Sequence, residues 1–341
     1  MTIVIFSPNG DVHLDKLKSR ISERGETSLI IDGSRILTTR VQVTLKNGSI
    51  KGTIGNERER VSLSDVISFL GNIENLRMNS DEIPETGKAL AEEEWYAFFE
   101  SLFLVTHDKL WVNPLFSNII ADSKLYQMKL ASDLGFLTPK TILSNELHKS
   151  IDFFKSETRE GIALKRISHN LRSLESLGKN KVLYTRRLSL NDLVTASEDS
   201  FRACPVFLQD YYEKKSEIRS YIMGNKVISA EILSQADDKT KEDWRRYPTK
   251  LHEGQNIIDY DRWKVRAIEL PSNLNKLMVD LTKKCGMNYG SIDLIRTTDD
   301  RFIFLEINTS GAYSFIEEQT GLNITDAMVD LLLSPLKSMK D

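Results

Sequence analysis

Two β-prone stretches near the carboxyl terminus hold the residues best suited to chemistry. Ser291-Ile-Asp-Leu-Ile295 and Phe302-Ile-Phe-Leu-Glu-Ile-Asn308 read as paired strands, because their β-branched and aromatic content disfavours helix. A turn centred on Asp299-Asp300 sets Asp293 directly opposite Glu306, and the two-residue period of a strand puts Asn308 on the face of Glu306. Two opposed carboxylates with Cβ atoms about 5 Å apart repel unless a cation lies between them. Oxygen donors that are few in number suit Mg2+ shared with substrate phosphates better than a full cage of protein ligands. Phe302 and Phe304, read as lining that face, argue against a solvated hairpin.

A second hairpin turns at Gly224-Asn225, where Gly at the first position fits a type II′ turn. It places Glu217, Arg219 and Tyr221 on one strand face. A carboxylate there suits a ribose and a guanidinium suits a phosphate, although exposed strands also carry such pairs in solvent. Two lysines add to this set. Lys124 opens a helix for which Asp122 is the expected N-cap, and Lys165 lies inside the apolar strand Gly161 to Ile167. Singly, each reads equally as a snorkelling surface lysine. Together they resemble two arms reaching for phosphates.

The elements that must position these groups come from a chain of 341 residues, long enough for two or three domains. Its 46 Lys+Arg against 49 Asp+Glu leave a net charge of −3, which argues against a general nucleic-acid binder. No window approaches the ~18 apolar residues of a membrane span, and the apolar start Met-Thr-Ile-Val-Ile-Phe has no basic region before it, so a cytoplasmic protein is expected. Cys204 and Cys285 cannot make a disulfide framework and read as inert core residues. The histidines show no metal spacing, and neither a P-loop, a Rossmann glycine pattern nor a hydrolase elbow is written here. The first hundred residues predict a small α/β unit: a strand at Ile3–Phe6, a helix from Leu14 to Arg24, a strand at Ser28–Asp32, and a hairpin about Asn47-Gly48. A polar connector over residues 72–94 leads to a helix from Ala89 to Val105, and Gly135 stops the helix after Asp122. Short elements follow, including a strand at Val182–Thr185, before a strand-rich carboxyl-terminal part.

In chain order the pieces are Lys124, Lys165, Gln209-Asp-Tyr-Tyr212, Glu217-Ile-Arg219, Asp243-Trp-Arg245, Asp293 and Leu305-Glu-Ile-Asn308. That order resembles the ATP-grasp ligases over roughly residues 112–333. The helix Asp122-Ser-Lys-Leu-Tyr-Gln-Met-Lys-Leu-Ala, the Glu-Ile-Arg and Asp-Trp-Arg triplets and the closing Gly311…Thr320-Gly-Leu-Asn-Ile-Thr are most similar to graspetide maturases, the microviridin-type and grasp-with-spasm ligases. The stretch from Ser234 to Tyr247 is especially similar to the latter. The resemblance implies an ATP-grasp fold, α/β and α+β, with a pre-ATP-grasp domain over residues 1–118, a central lobe with a lid over 119–204, and an antiparallel-sheet lobe over 205–341. It further implies ATP between the second and third lobes. Lys124 and Lys165 would contact phosphates, Gln209, Asp210, Tyr211 and Tyr212 would form the adenine hinge, and Glu217 would hold the ribose. Arg219 would sit by the phosphates, Asp293, Glu306 and Asn308 would bind Mg2+, and Arg245 would steady an acyl phosphate or the acceptor. Two departures stand out: Thr309 replaces the usual proline, and Ser168 to Lys181 offers only Gly178 where many relatives carry a Gly-rich lid.

The implied activity is ATP-dependent ligation through an acyl phosphate, forming side-chain esters or amides in a ribosomal precursor peptide with a leader. The expected partner is that peptide, with no nucleic acid and no membrane, and homo-oligomerisation as a dimer is the expected assembly. A ligase joining small amines to small-molecule or protein carboxylates is the alternative enzyme. A nucleotide-bound peptide-binding module without turnover is the alternative from another class.

Overall fold

Both faces of the opening strand are apolar, so it must be covered twice. In the computed structural model, which describes residues 1–7, 13–71, 83–158, 160–167, 184–246, 249–252, 255–258 and 263–335, the first lobe runs β1 (Thr2–Phe6), α1 (Leu14–Glu23), β2 (Thr27–Ile31), β3 (Arg40–Lys46), β4 (Ser49–Gly55), β5 (Arg60–Ser62), β6 (Val66–Leu70), α2 (Glu85–Val105) and β7 (Leu110–Val112). Strands in the order β2-β1-β6-β7 form a parallel sheet. Ile3 and Ile5 pack with Leu14, Leu17 and Ile21 of α1, while Val4 and Phe6 pack with Phe99, Leu102 and Phe103 of α2. Cover on both faces is what a parallel sheet requires. The expected hairpin joins β3 to β4, with Asn47 and Gly48 both at positive φ, 51° and 77°. Helix α2 begins at Glu85 rather than Ala89, and the first part of the expected connector, residues 72–82, lies outside the described residues.

The middle of the chain runs α3 (Ser117–Asp122), α4 (Lys124–Leu134), β8 (Thr141–Ser144), α5 (Leu147–Glu157), β9 (Ile162–Lys165), β10 (Arg186–Leu188), α6 (Leu190–Val194), α7 (Glu198–Ala203) and β11 (Val206–Asp210). Asp122 is not the cap of α4. It ends a short preceding helix, and the extended Ser123 (φ −81°, ψ 93°) separates the two, making Lys124 the first helical residue. Gly135 does stop α4, at φ 99°. Four strands form an antiparallel sheet in the order β10-β9-β11-β8. The expected division at 204/205 precedes β11, yet β11 pairs with β8 and β9 of the middle sheet. The lid expected at Ser168 to Lys181 and the first two residues of the strand expected at Val182–Thr185 lie outside the described residues, and the described strand here begins at Arg186.

The last lobe runs β12 (Lys214–Met223), β13 (Lys226–Ile232), β14 (Thr249–His252), β15 (Gln255–Ile258), β16 (Val265–Ile268), α8 (Ser272–Lys284), β17 (Tyr289–Thr297), β18 (Phe302–Asn308), α9 (Ser314–Thr320) and α10 (Ile324–Leu332). Its main sheet is antiparallel, in the order β16-β13-β12-β17-β18. One face of that sheet, through Ile218, Ile222, Ile292, Leu294, Phe304 and Ile307, packs on Met128 of α4 and on Met278 and Leu281 of α8. The other face is covered at one end, where Tyr221, Met223 and Tyr289 pack with Met328 and Leu332 of α10, and the rest of it is free to be a site. Helix α10 returns to the first lobe, where Met328 and Leu332 join Ile3, Ile5 and Leu17 in one apolar cluster. Among the described residues no helix is long and apolar enough to cross a membrane. Cys285 is buried, its thiol pushed up to about 11 by that burial, but Cys204 is exposed and so is not the core residue the sequence suggested.

Candidate active site

The free face is set by strand register. Arg219 of β12 lies opposite Asp293 of β17, and Asp293 lies opposite Glu306 of β18. Ser291 pairs with Asn308, so these polar groups share one side of the sheet. The opposition of Asp293 and Glu306 is as expected, but the route to it is not. The turn residues after Thr297 include Asp300 at φ 60°, and the first pair is Arg296 with Phe302. A bulge at Leu305 adds one residue and restores Asp293 to Glu306. It also sends Phe304 to the opposite face from Glu306, into the core beside Leu294. Phe302 packs against the same core, so the expectation that Phe302 and Phe304 line the carboxylate face is corrected.

Around this pair the charges are tightly matched. Arg219 Nη1 donates to both Asp293 oxygens at 3.0 and 2.9 Å, and Nη2 donates to Ser291 Oγ at 3.2 Å. Asn308 Nδ2 lies 3.5 Å from Asp293 Oδ2 and 3.4 Å from Glu306 Oε1. Burial pushes the Asp293 carboxyl up to about 6, with Arg219 pulling it down and Glu306 adding to the rise. Burial acts on Glu306 in the same sense, yet the charges of Lys124, Lys165 and Arg245 outweigh it and hold that carboxyl well below the usual range. Gly311 packs so closely here that a Cβ would come within 2.6 Å of Arg219 Nη2.

Helix α4 serves the site twice. Lys124 Nζ donates to Glu306 Oε2 at 2.7 Å. One turn on, the buried Gln127 replaces a missing neighbour strand at the β18 edge. Its Nε2 donates to Ile307 O at 3.0 Å and to Ala121 O, and its Oε1 accepts from Ile307 N at 3.0 Å. The residue between Glu306 and Asn308 is thereby clamped. Across the cleft, Lys165 sits at the end of β9, its ammonium lowered to about 8 by burial against the opposing pull of Glu306. It makes no hydrogen bond or ion pair among the described residues.

The cleft beyond these groups is lined by Gln209, Asp210, Tyr211, Tyr212, Lys214 and Glu217, with Ala163 on the middle sheet. Gln209 is buried; its Nε2 donates to Thr141 Oγ1 at 3.1 Å, and its Oε1 has no partner among the described residues. A buried acceptor left bare costs about 1–3 kcal/mol, which a ligand N–H would recover. The amides of Asp210 and Tyr211 donate to the Lys140 and Gly161 carbonyls, whereas that of Tyr212 has no backbone partner among the described residues. Glu217 is not bare: Lys214 Nζ donates to its Oε1 at 2.7 Å, a contact that alternation alone hides. Arg245 bonds Asp243 twice, at 2.8 and 2.6 Å, and these bonds, above all, raise its pKa. Trp244 lies under Arg219, 5.3 Å from ring to guanidinium.

A second cavity meets this cleft. Trp244, Arg245, Asp293, Glu306 and Asn308 line both, and the second continues past Gly311 and Tyr313 to Ser7, His13 and Gly71 of the first lobe. Asn113, the residue after β7, fixes that junction. Its Oδ1 accepts from the amides of Asn288 and Tyr289, and its Nδ2 donates to the carbonyls of Tyr289 and Thr309. Nothing in the sequence marks Asn113 or Gln127, because the backbone of β17 and β18 that they hold lies some 180 residues away.

Among the described residues no group of three His, Cys, Asp or Glu side chains is placed to hold a metal. Two carboxylates and one amide do converge, a donor set that fits Mg2+ completed by phosphate oxygens and does not fit a closed protein cage. The orphaned Gln209 oxygen and the two lysines fit a nucleotide in the same cleft.

Residues 121–332 match the pattern of the RimK-like ATP-grasp domain. No curated protein matches the chain. Among solved structures, the chain is similar to the Chryseobacterium gregarium RiPP-associated ATP-grasp ligase in complex with ADP and a leader and core peptide, at 23% identity and a TM-score of 0.81, covering 98% of this chain and 96% of that one. It is similar to macrocyclase MdnC bound with precursor peptide MdnA from Microcystis aeruginosa, at 25% identity and a TM-score of 0.78 over 98% and 100% of the two chains. The ATP-grasp ligase PsnB complexed with a minimal precursor follows at 17% identity and 0.74, over 98% of each. The fold is the ATP-grasp fold throughout.

Proposed function

This chain belongs to the RimK-like ATP-grasp family, and from that premise we propose that it is a carboxylate ligase that closes side-chain esters or amides in a ribosomal precursor peptide, using ATP and Mg2+. The observation that carries the proposal is the wall shared by two cavities, Trp244, Arg245, Asp293, Glu306 and Asn308. A nucleotide in one and a peptide side chain in the other would meet at the carboxylate face. Two structural neighbours bound to precursor peptides, and a third bound to a leader and core peptide, support a peptide substrate.

Bound ATP and Mg2+ supply phosphoryl transfer to a carboxylate, giving an acyl phosphate from which a hydroxyl or amine displaces phosphate. The chain's own residues bind and orient. Asp293, Glu306 and Asn308 would hold the metal, and Lys124 and Lys165 would neutralise phosphate oxygens. The hinge from Gln209 to Tyr212 would read adenine, through Gln209 Oε1 and the Tyr212 amide, and Glu217 would hold the ribose. Arg219, braced by Asp293 and Trp244, would fix the face of the site from below. Arg245, held at two atoms by Asp243, would steady the acyl phosphate or its acceptor. No protein nucleophile is needed, since positioning and electrostatics suffice.

The test is co-incubation with Mg2+, ATP and a leader-bearing peptide encoded beside the gene. The expected product is lighter by one water for each ADP released. Turnover of free amino acids, with no demand for a leader, would count against the peptide substrate.

A further inference from the structure

We propose that Lys214 is the positioning residue that lets the ATP cleft read the sugar, by aiming Glu217 and tying it to the segment that carries Arg245. Residues three apart on a regular strand face opposite ways, so alternation puts Lys214 behind the sheet. The pairing of β12 with β17 breaks that rule. Lys214 lies opposite Thr297 but Ser216 lies opposite Arg296, leaving Lys215 as an extra, bulged residue. Lys215 turns outward to meet Asp300 at 3.2 Å, and Lys214 turns onto the face of Glu217. Bulges beside functional sites re-aim side chains in this way.

The result is an ion pair 2.7 Å long whose two side chains are only 5% and 7% exposed. A pair so deeply buried adds little stability that apolar residues would not supply, so its presence asks for another role. Its geometry provides one. Lys214 Nζ occupies Glu217 Oε1 and also donates to the carbonyl of Glu242 at 3.0 Å. Oε2 has no hydrogen bond among the described residues and Glu217 lines the cleft, leaving Oε2 as the oxygen offered to it. Glu242 immediately precedes Asp243-Trp244-Arg245, so one ammonium joins the sugar-facing carboxylate to the loop between the two cavities.

This inference rests on the reading of Glu217 as the ribose partner, and the experiment separates the two. Calorimetric binding of ATP, 2′-deoxy-ATP and 3′-deoxy-ATP with Mg2+ would be measured for wild type, Glu217→Gln, Lys214→Met and Lys214→Gln, with thermal unfolding of each. A hydrogen bond to a charged group should make wild type prefer ATP over one deoxy analogue about 10- to 100-fold. Glu217→Gln and Lys214→Met should each reduce that ratio to about threefold or less, and Lys214→Gln, which keeps a donor, should fall between. If Glu217→Gln loses discrimination while either folded Lys214 variant keeps the wild-type ratio, the role of Lys214 is overturned. If Glu217→Gln itself keeps the ratio, or wild type shows none, the ribose reading fails and takes this inference with it.

Discussion

Replacing Gln127 by Leu tests whether the clamp on β18 holds the metal-facing residues in place. The side chain makes three bonds to backbone, two of them to Ile307. Leucine fills similar volume but leaves the Ile307 amide, its carbonyl and the Ala121 carbonyl bare. Ile307 and Ala121 are both wholly buried, so water cannot take over. At about 1–3 kcal/mol for each of the three bare groups, less about 1–2 kcal/mol for added apolar burial, the expected loss is roughly 1–8 kcal/mol. That is a large share of the ~5–15 kcal/mol that holds a domain together. Urea unfolding measures it directly. Because Glu306 and Asn308 flank Ile307, Mg2+-dependent ADP binding should weaken by about tenfold as well, the equivalent of about 1.4 kcal/mol of misplacement. Gln127→Glu should fare no better, since a carboxylate cannot donate to either carbonyl. A Gln127→Leu protein less than about 1 kcal/mol destabilised, with unchanged ADP affinity, would refute the clamp.

Other consequences can be measured on the same protein. Glu306→Gln and Asp293→Asn should each abolish ligation while leaving circular dichroism unchanged, and wild-type turnover in both would remove the metal assignment. Arg245→Ala should reduce ligation by more than it reduces ATP binding, whereas equal losses would mean that its role is misassigned. Lys165, with its pKa near 8, must be protonated to hold a phosphate, and a bound phosphate raises that pKa. ATP affinity should therefore be level below pH 8 and fall by up to about tenfold per unit above it, while Lys165→Arg should be level throughout. A wild-type affinity unchanged from neutral to strongly alkaline pH would contradict this. Gly311→Ala should displace Arg219 and Ser291, because its Cβ would collide with Ser291 Oγ, and ligation should fall by about 10- to 100-fold with little change in unfolding temperature.

The parts of the site that lie on regular strands could be read from alternation. Asp293, Glu306 and Asn308 share a face, as do Glu217 and Arg219, because sheet geometry repeats every two residues. What escaped the sequence came from departures from that repeat and from long-range backbone contacts. The bulge at Leu305 moved Phe304 to the core, and the bulge at Lys215 brought Lys214 into the cleft. Neither has a side-chain signature, since a bulge is a property of the pair and not of one strand. Gln127 and Asn113 look like ordinary polar residues until their distant backbone partners are placed beside them. The cap expected at Asp122 failed for a local reason, because a six-residue helix precedes α4 and leaves Ser123 at the junction. In the first lobe, apolar runs and Asn47-Gly48 sufficed, since each signal is local.

Isotope transfer tests the central claim, ligation through an acyl phosphate, most directly. A leader-bearing peptide whose side-chain carboxylates carry oxygen-18 would be turned over with Mg2+ and unlabelled ATP, and the released phosphate analysed by mass spectrometry. Activation at the carboxylate predicts one labelled oxygen in inorganic phosphate for every crosslink closed. Crosslinks formed with unlabelled phosphate would contradict it.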